Sequence, residues 1–226
     1  MRGGLRVAID GPMGAGKGTV ARLVARRLGY RYVDTGAMYR AVAWKALREG
    51  VDLDDPEAVA CVVCKARVQL EPEPDGLRVW CDGEDVTGLI RSMEVSAAVS
   101  RVAANPAVRQ VLTQQQRELA RWGGVVMEGR DIGTVVLPDA EVKVFLDASL
   151  EERARRRYEE MRSRGEAVSL EAVRELIRKD DELASRRPTA PLRRASDAVV
   201  VDTTGRSPEE VAEEIVDLVR ERARAR

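Results

Sequence analysis

The sequence contains no histidine and only three cysteines. Without histidine, His-assisted nucleophilic catalysis, general-base chemistry by imidazole and histidine metal sites are all excluded. An odd number of cysteines argues against a disulfide framework. Cys61 and Cys64 form a C-x-x-C pair in an apolar run, but no second pair completes a zinc site. We therefore expect both thiols to be buried on a helix.

Excess charge and long apolar runs are also absent. The chain has 38 basic and 38 acidic residues, so no bulk field favours nucleic acid or an anionic membrane. It has no apolar run of about 18 residues, and its N-terminus lacks a signal-peptide pattern. We expect a soluble cytoplasmic protein without a nucleic-acid or membrane partner. With 226 residues, 44% of them hydrophobic, it suits one large domain or a core with an insertion.

A glycine-rich loop stands where a phosphate-binding loop requires it. Residues 5–9 form a short apolar run, residues 11–19 are rich in glycine, and residues 20–28 have a helical pattern. In that order, loop N–H groups and the positive end of the helix can face one anion. Lys17 adds a mobile charge for phosphate oxygens. The strict pattern places Ser or Thr directly after the lysine to hold Mg²⁺, whereas here Gly18 intervenes before Thr19.

The remaining apolar runs predict an α/β fold. Strands at 5–9 and 30–33, joined by a helix that ends at Gly29, make a βαβ unit and hence a parallel sheet. Further buried strands are predicted at 124–127, 142–146 and 198–202. We expect a P-loop NTPase three-layer fold with a five-stranded parallel sheet, an inserted subdomain and a helical lid.

The insertion is predicted from a change of pattern. Short alternating segments at 68–70, 77–80 and 84–86 are separated by turn signals at 74–76 and 82–83, which indicates a small antiparallel meander. Within a single domain, the core then comprises residues 1–35, 124–150 and 196–226. The insert with its helices takes about 36–123, and the lid about 151–190.

Polar residues follow the predicted strands at their carboxyl ends, where open α/β sheets bind ligands. Asp34 follows the second strand and either holds Mg²⁺ or caps the next helix. Arg40, on that helix, either contacts an anion or is solvated. Arg130 and Asp131 stand between glycines after the third strand, where they read a polar ligand or form a local salt bridge.

A charged helix follows the fourth strand. Arg153, Arg156 and Arg157 lie on one of its faces. Charge runs are usually solvated, but Gly165 at the end of this helix and the strand before it favour a lid that closes over phosphates. Many arginines and no histidine fit phosphoryl transfer, which needs positioning, neutralised charge, Mg²⁺ and excluded water.

These motifs together resemble the bacterial cytidylate kinases. The resemblance rests on residues 9–19 and 34–40, and on residues 83–87, 129–134, 145–148 and 190–192. It extends in order over nearly the whole chain. It implies transfer of a phosphoryl group from ATP to CMP or dCMP, giving ADP and CDP or dCDP, with Mg²⁺, in a cytoplasmic monomer. It also implies that the meander is an enlarged nucleoside-monophosphate-binding region.

The resemblance further implies roles for individual residues. The ATP phosphates would be held by Gly11, Pro12, Met13, Gly14, Ala15, Gly16, Lys17, Gly18 and Thr19. CMP would be bound by Thr35, Arg40, Ser100, Arg109, Arg130, Asp131 and Arg187. Catalytic charge would come from Lys17, Arg130, Arg153 and Arg157. By their positions in the sequence, Thr19 and Asp34 are the candidates for contacts to the metal, directly or through water. The base would be read by Ser100, Arg109 and Asp131, since a carboxylate accepts from the amino group that uracil lacks.

Three positions depart from the family's pattern. Asp180 and Ala184 stand where the family has an arginine and an aspartate that contact the sugar, although Lys179 or Asp181 could substitute by a shift in register. The preference between CMP and dCMP therefore stays open. Met13 replaces a usual serine.

Other functions compete with this interpretation. The nearest is an adenylate- or uridylate-type kinase. A GTP-binding switch would use Asp-x-x-Gly, which occurs at 85–88 and 202–205, but its Asn-Lys-x-Asp element is absent. A non-catalytic P-loop binding protein would not need Lys17 and the arginine set.

Overall fold

The computed structural model describes residues 4–73 and 76–226. The chain divides into two compact units. The first comprises Met1–Tyr32 and Gly123–Arg226, and the second comprises Val33–Trp122.

The helices and strands follow one another as the sequence pattern predicts. The chain begins with β1 (Arg6–Asp10), α1 (Lys17–Leu28), β2 (Arg31–Asp34), α2 (Thr35–Arg48) and α3 (Pro56–Lys65). It continues with β3 (Val68–Glu73), β4 (Gly76–Cys81), β5 (Glu84–Asp85), a 3₁₀ turn (Leu89–Arg91), α4 (Met93–Ala104) and α5 (Pro106–Ala120). It ends with β6 (Val125–Gly129), a π-helical turn (Ile132–Val136), β7 (Val142–Asp147), α6 (Leu150–Ser163), α7 (Leu170–Arg186), β8 (Val199–Asp202) and α8 (Pro208–Arg224).

The predicted five-stranded sheet is confirmed, with strand order β2-β6-β1-β7-β8. β1 pairs in parallel with both β6 and β7, and β7 pairs in parallel with β8. Asp10, the last residue of β1, lies opposite Gly129 of β6 and Phe145 of β7. The carboxyl ends of these three strands therefore lie side by side, and the loops that follow them start at one edge of the sheet.

The core of the first unit lies between this sheet and the helices α1 and α8. Val20 and Val24 of α1 pack with Ile215 of α8 in the same cluster as Ile9 of β1. α8 contributes apolar residues at helical spacing, and the hydroxyl of Ser207 caps its first turn. The packing fixes α1, and with it the end of the glycine loop.

A second cluster in this unit joins α6 to α7. Ala154 and Met161 of α6 pack against Val173 and Ile177 of α7, and Met13 of the glycine loop packs against the cluster. The residue that replaces the usual serine in the loop thus covers apolar surface of the α6–α7 pair.

The second unit is built around α2. One side of α2, with Met38 and Val42, packs in a cluster with residues of α3, α4 and α5. Its other side, with Ala37 and Ala41, packs against the three-stranded antiparallel sheet β3-β4-β5. The predicted meander is therefore confirmed as a sheet that covers one face of a helix.

The turns of the meander agree with the sequence as far as they are described. Asp82 and Gly83 connect β4 to β5 with φ of +53° and +84°, the conformation that Asp-Gly favours in a two-residue hairpin. Of the other predicted turn, 74–76, Pro74 and Asp75 lie outside the described residues. Within the described ranges, no helix is long and apolar enough to cross a membrane.

The prediction that Cys61 and Cys64 are buried is wrong. Both lie on α3 as expected, but both are exposed. The buried side chains of α3 are Val59, Val62 and Val63, at the i, i+3, i+4 spacing of one helix face. The apolar run is longer than the face that packs, so the cysteines point away from the core.

Candidate active site

The glycine loop at residues 11–19 has a backbone that needs its glycines. Gly14 and Gly16 have φ of +78° and +85°, in the left-handed region that other residues rarely adopt. A Cβ on Gly11 would lie 2.2 Å from the carbonyl oxygen of Leu146, at the end of β7. α1 begins directly after Gly16, so the positive end of its dipole faces the loop. The loop is shaped to bind an anion.

Lys17 lies over this loop. Its Nζ donates a hydrogen bond to the carbonyl oxygen of Pro12 at 2.8 Å. Burial lowers the pKa of Lys17 below its ordinary value, while the negative charge of Glu128 opposes this effect. The ammonium group therefore lies where a phosphate held by the loop would meet it.

Asp10 joins the end of β1 to the segment after β6. Its Oδ1 accepts from the backbone N–H of Ile132 at 2.8 Å, and its Oδ2 accepts from that of Gly133 at 2.7 Å. Burial raises the pKa of Asp10 to about 6, although these two hydrogen bonds act in the opposite direction. Sequence reasoning missed this residue. The available signal was a carboxylate at the end of a buried strand, directly before the glycine loop.

Arg130 and Asp131 follow β6 directly. Arg130 pairs with Asp180 of α7, with Nη1 2.5 Å from Oδ2. Asp131 is buried, and its carbonyl oxygen accepts from Val135 and Val136 in the π-helical turn. Such turns are rare and often mark functional sites. The predicted Arg-Asp pair thus lies on a loop that Asp10 and Asp131 hold in place.

Arg153 is anchored to the glycine loop and is not a solvated residue. It is 7% exposed, and its Nη1 lies 3.1 Å from the carbonyl oxygen of Met13 and 2.7 Å from Oδ2 of Asp181. The backbone of α6 comes equally close, since a Cβ on Gly14 would lie 2.8 Å from the carbonyl oxygen of Arg153.

The other predicted arginines of the first unit have partners nearby. Arg157 pairs with Glu160 at 2.7 Å, and its buried Nε donates a hydrogen bond to none of the described residues. Arg187, just after α7, donates from Nε to the carbonyl oxygen of Ala184 at 3.5 Å.

Arg156, predicted to share a helix face with Arg153 and Arg157, donates to the carbonyl and hydroxyl oxygens of Thr203. The hydroxyl of Thr203 in turn reaches the carbonyl oxygen of Ala15 at 3.3 Å. The first unit thus brings together the glycine loop, Lys17, Arg130 and Arg153.

Among the candidates in the second unit, Asp34 caps α2. Its Oδ1 accepts from the backbone N–H of Ala37 at 2.8 Å, and its Oδ2 lies 2.9 Å from Nη2 of Arg40. The Nε of Arg40 is buried and bonds to none of the described residues. Thr35, the first residue of α2, is buried beside Asp34.

The candidate base-reading residues of this unit lie on α4 and α5. Arg109 of α5 is buried, donates to the carbonyl oxygen of Ala103 at 3.2 Å, and lies 5.5 Å from the ring centre of Tyr39. Ser100 of α4 is half-buried. Arg109 therefore has a fixed position, since an aromatic ring and a helix end both hold its guanidinium.

Comparisons with known proteins give one consistent result. A family model described as cytidylate kinase matches residues 7–221. The chain is 54% identical over 216 residues to a cytidylate kinase of Geobacillus thermodenitrificans, covering 96% of each chain. It is 50% identical to that of Geobacter sulfurreducens, covering 99% of this chain and 96% of the relative.

Similar solved structures are more distant. A gluconokinase from Sinorhizobium meliloti matches with a TM-score of 0.52 and 15% identity, over 100% of this chain and 97% of that chain. A shikimate kinase from Acinetobacter baumannii matches with a TM-score of 0.50 and 18% identity, over 97% of this chain and 95% of that one. At such identities these two structures bear on the fold alone.

Proposed function

Because this chain belongs to the cytidylate kinase family and transfers a phosphoryl group from ATP to CMP or dCMP, we propose that the transfer takes place at the glycine loop. The observation that supports this is the cluster of Lys17, Arg130 and Arg153 around the loop. Phosphoryl transfer requires that the protein hold the donor and acceptor in line and place fixed positive charge around the transferred group. The half-buried Lys17 and Arg130 and the buried Arg153 supply positive charge that hydrogen bonds hold in place.

ATP binds through the loop backbone in this proposal. The phosphates are held by Gly11, Pro12, Met13, Gly14, Ala15, Gly16, Lys17, Gly18 and Thr19. Lys17 exchanges the carbonyl oxygen of Pro12 for a phosphate oxygen, since the ammonium group bonds more strongly to a charged acceptor than to a neutral carbonyl.

The acceptor is bound by Thr35, Arg40, Ser100, Arg109, Arg130, Asp131 and Arg187. Arginines suit its phosphate because a guanidinium binds phosphate oxygens in a bidentate way. The buried Nε of Arg40, which makes no hydrogen bond to the described residues, supports such a role. Arg109 in the second unit and Asp131 in the first are each buried, which supports the role of each as a fixed hydrogen-bonding group. A fixed group rejects an analogue that leaves it unpaired.

Arg153 and Arg157 carry the positive charge of a helical lid at about 151–190. The bonds of Arg153 to Met13 and Asp181 place its guanidinium beside the loop, where charge on the transferred group would be stabilised. In the same proposal the core is 1–35, 124–150 and 196–226, and the inserted region at about 36–123 binds the monophosphate. A closing lid excludes water, which would otherwise hydrolyse ATP.

The residues present fit a Mg²⁺ ion that arrives with ATP. The described residues contain no cluster of three or more His, Cys, Asp or Glu that could hold a metal ion. Mg²⁺ in kinases is held mostly by substrate phosphates and waters, with few protein ligands. We propose that Thr19, exposed on the first turn of α1, would help to hold the ion, directly or through water. Asp34, whose oxygens accept from Ala37 and Arg40, would act through water. When bound, the ion neutralises charge on the phosphates.

The protein is further proposed to act as a cytoplasmic monomer on free nucleotides, without nucleic acid or a membrane. Equal numbers of acidic and basic residues support this, because no net charge attracts a polyanion.

One acceptor panel tests the proposed function. ATP·Mg²⁺ is offered with CMP, dCMP, UMP or AMP, and ADP release is measured. We expect turnover with CMP and dCMP well above that with UMP or AMP. The ratio of kcat/KM for CMP and dCMP then fixes the sugar preference. Absence of turnover with both cytidine nucleotides would contradict the function, and a preference for UMP or AMP would support the rival kinases.

A further inference from the structure

The carboxylate of Asp180, on α7, forms an ion pair with the guanidinium of Arg130. The two charged atoms are 2.5 Å apart, and the side chains of Arg130 and Asp180 are 25% and 13% exposed. A partly buried ion pair of this kind is screened less by salt than a fully exposed pair. In the neighbouring pair, Arg153 of α6 with Asp181 of α7, the guanidinium also donates to the carbonyl oxygen of Met13 in the loop.

The pair also lies close to the phosphate-binding lysine. The charges of both Arg130 and Asp180 act on Lys17, Arg130 lowering its pKa and Asp180 raising it. The carboxylate of Asp180 therefore stands in the same electrostatic environment as the groups proposed to bind phosphates. A phosphate that reaches Arg130 would meet a negative charge already in place.

We propose that Asp180 is an affinity-determining residue for the acceptor: it is the counter-ion of Arg130 in the nucleotide-free protein, and the acceptor phosphate must displace it. This rests on the proposed role of Arg130 as a ligand of the acceptor phosphate. Exchanging one anion for another on Arg130 gains less than filling an unoccupied guanidinium. The displaced carboxylate still repels the bound phosphate at short range. Both effects raise the acceptor KM.

The test is a double-mutant cycle with Asp180→Asn and Arg130→Ala, measured with CMP at saturating ATP·Mg²⁺. Asparagine keeps the shape of the side chain and removes its charge. We expect Asp180→Asn to lower the KM for CMP about 3- to 10-fold, the scale of a partly exposed ion pair. In the Arg130→Ala background the same change should lower KM by less than about 2-fold, because there is no arginine left to release.

Glu182→Gln is the matched control. Glu182 lies on the same helix, and its partner Arg186 is 79% exposed. This variant removes the same charge from α7 without touching Arg130, so its KM for CMP should stay within about 2-fold of the wild type. Calorimetric titration of CMP into the ATP-free variants checks that the change is in binding. A merely destabilised variant would lose active protein, and its KM would not fall.

The outcomes separate the two proposals. If Asp180→Asn leaves the KM for CMP unchanged or raises it while Arg130→Ala raises it strongly, the counter-ion role is wrong and Arg130 keeps its proposed role. If Arg130→Ala itself leaves KM unchanged, both the role of Arg130 and the inference are overturned. If the wild type phosphorylates neither CMP nor dCMP, the proposed function is wrong.

Discussion

Lys17 donates from Nζ to the carbonyl oxygen of Pro12, 2.8 Å away, so the ammonium group is folded back over the loop from which α1 starts. In this position it is desolvated, and burial lowers its pKa. A charge held at the loop and partly removed from water needs little reorganisation to stabilise a phosphoryl group in transfer.

Removal of the Lys17 charge should lower the turnover number. We expect Lys17→Ala to lower kcat at least about 10²-fold, because the transition state loses a charge that alanine cannot supply. Steady-state ADP release at saturating ATP·Mg²⁺ and CMP measures it. Circular dichroism of the variant checks that the fold is retained. Near-normal turnover would contradict the assignment of residues 11–19 as the phosphate-binding loop.

Because of Asp10, the free energy of unfolding should decrease as the pH rises from the acid range towards neutrality. Its pKa is raised from 3.8 to about 6 in the folded protein. Between these values only the folded state binds the proton, so this group stabilises the fold below about pH 4, and the contribution is lost as pH rises through about 6. We expect the free energy of unfolding of the wild type, relative to Asp10→Asn, to fall by about 2–3 kcal/mol between pH 4 and pH 7.

Urea unfolding of both proteins at several pH values measures this difference. Asp202→Asn is a control of opposite sign, since a hydrogen bond from the backbone of Thr204 lowers the pKa of that carboxyl. Relative to that variant, the wild type should gain stability as pH rises from the acid range. A pH-independent difference for Asp10→Asn would mean that Asp10 titrates as an ordinary carboxyl group.

The secondary structure could be predicted because its signals are local. The helix predicted from Lys17 ends at Gly29, which has φ of +66° and donates to the last carbonyl oxygens of α1. Ser149, Ser169 and Ser207 each cap the helix that follows them, and a serine directly before a helical run is a local signal for such a cap. Such caps depend on three or four consecutive residues, which are visible in the sequence.

The contacts that shape the candidate site could not be predicted, because they join distant segments. Asp10 accepts from Gly133, and Arg130 pairs with Asp180 across 50 positions of sequence. No local pattern marks these partners. The position of Asp34 in the sequence was equally compatible with a metal ligand and with a helix cap. The structure shows the cap, and the role as a metal ligand stays a prediction.

Asp131 should determine the choice of base. We expect Asp131→Ala to raise the KM for CMP and to reduce the preference for CMP over UMP, because the site then lacks an acceptor for the amino group of cytosine. The ratio of kcat/KM for the two acceptors measures it. Asp131→Asn keeps the side-chain volume and separates a loss of charge from a loss of shape. Unchanged selectivity in both variants would exclude the base-reading role.

Gly14 and Gly29 have similar positive φ values but different surroundings. A Cβ on Gly14, at φ +78°, would lie 2.8 Å from the carbonyl oxygen of Arg153, whereas a Cβ on Gly29, at φ +66°, meets nothing within 4 Å. Gly29→Ala should therefore cost about 1 kcal/mol of stability from backbone strain and leave kcat unchanged. Gly14→Ala should cost at least about 2 kcal/mol, since it adds overlap with α6, and should lower kcat/KM for ATP about 10-fold or more. Urea unfolding and initial rates measure both variants. Equal losses of stability and activity would show that backbone strain alone, and not the approach of α6 to the loop, requires glycine at position 14.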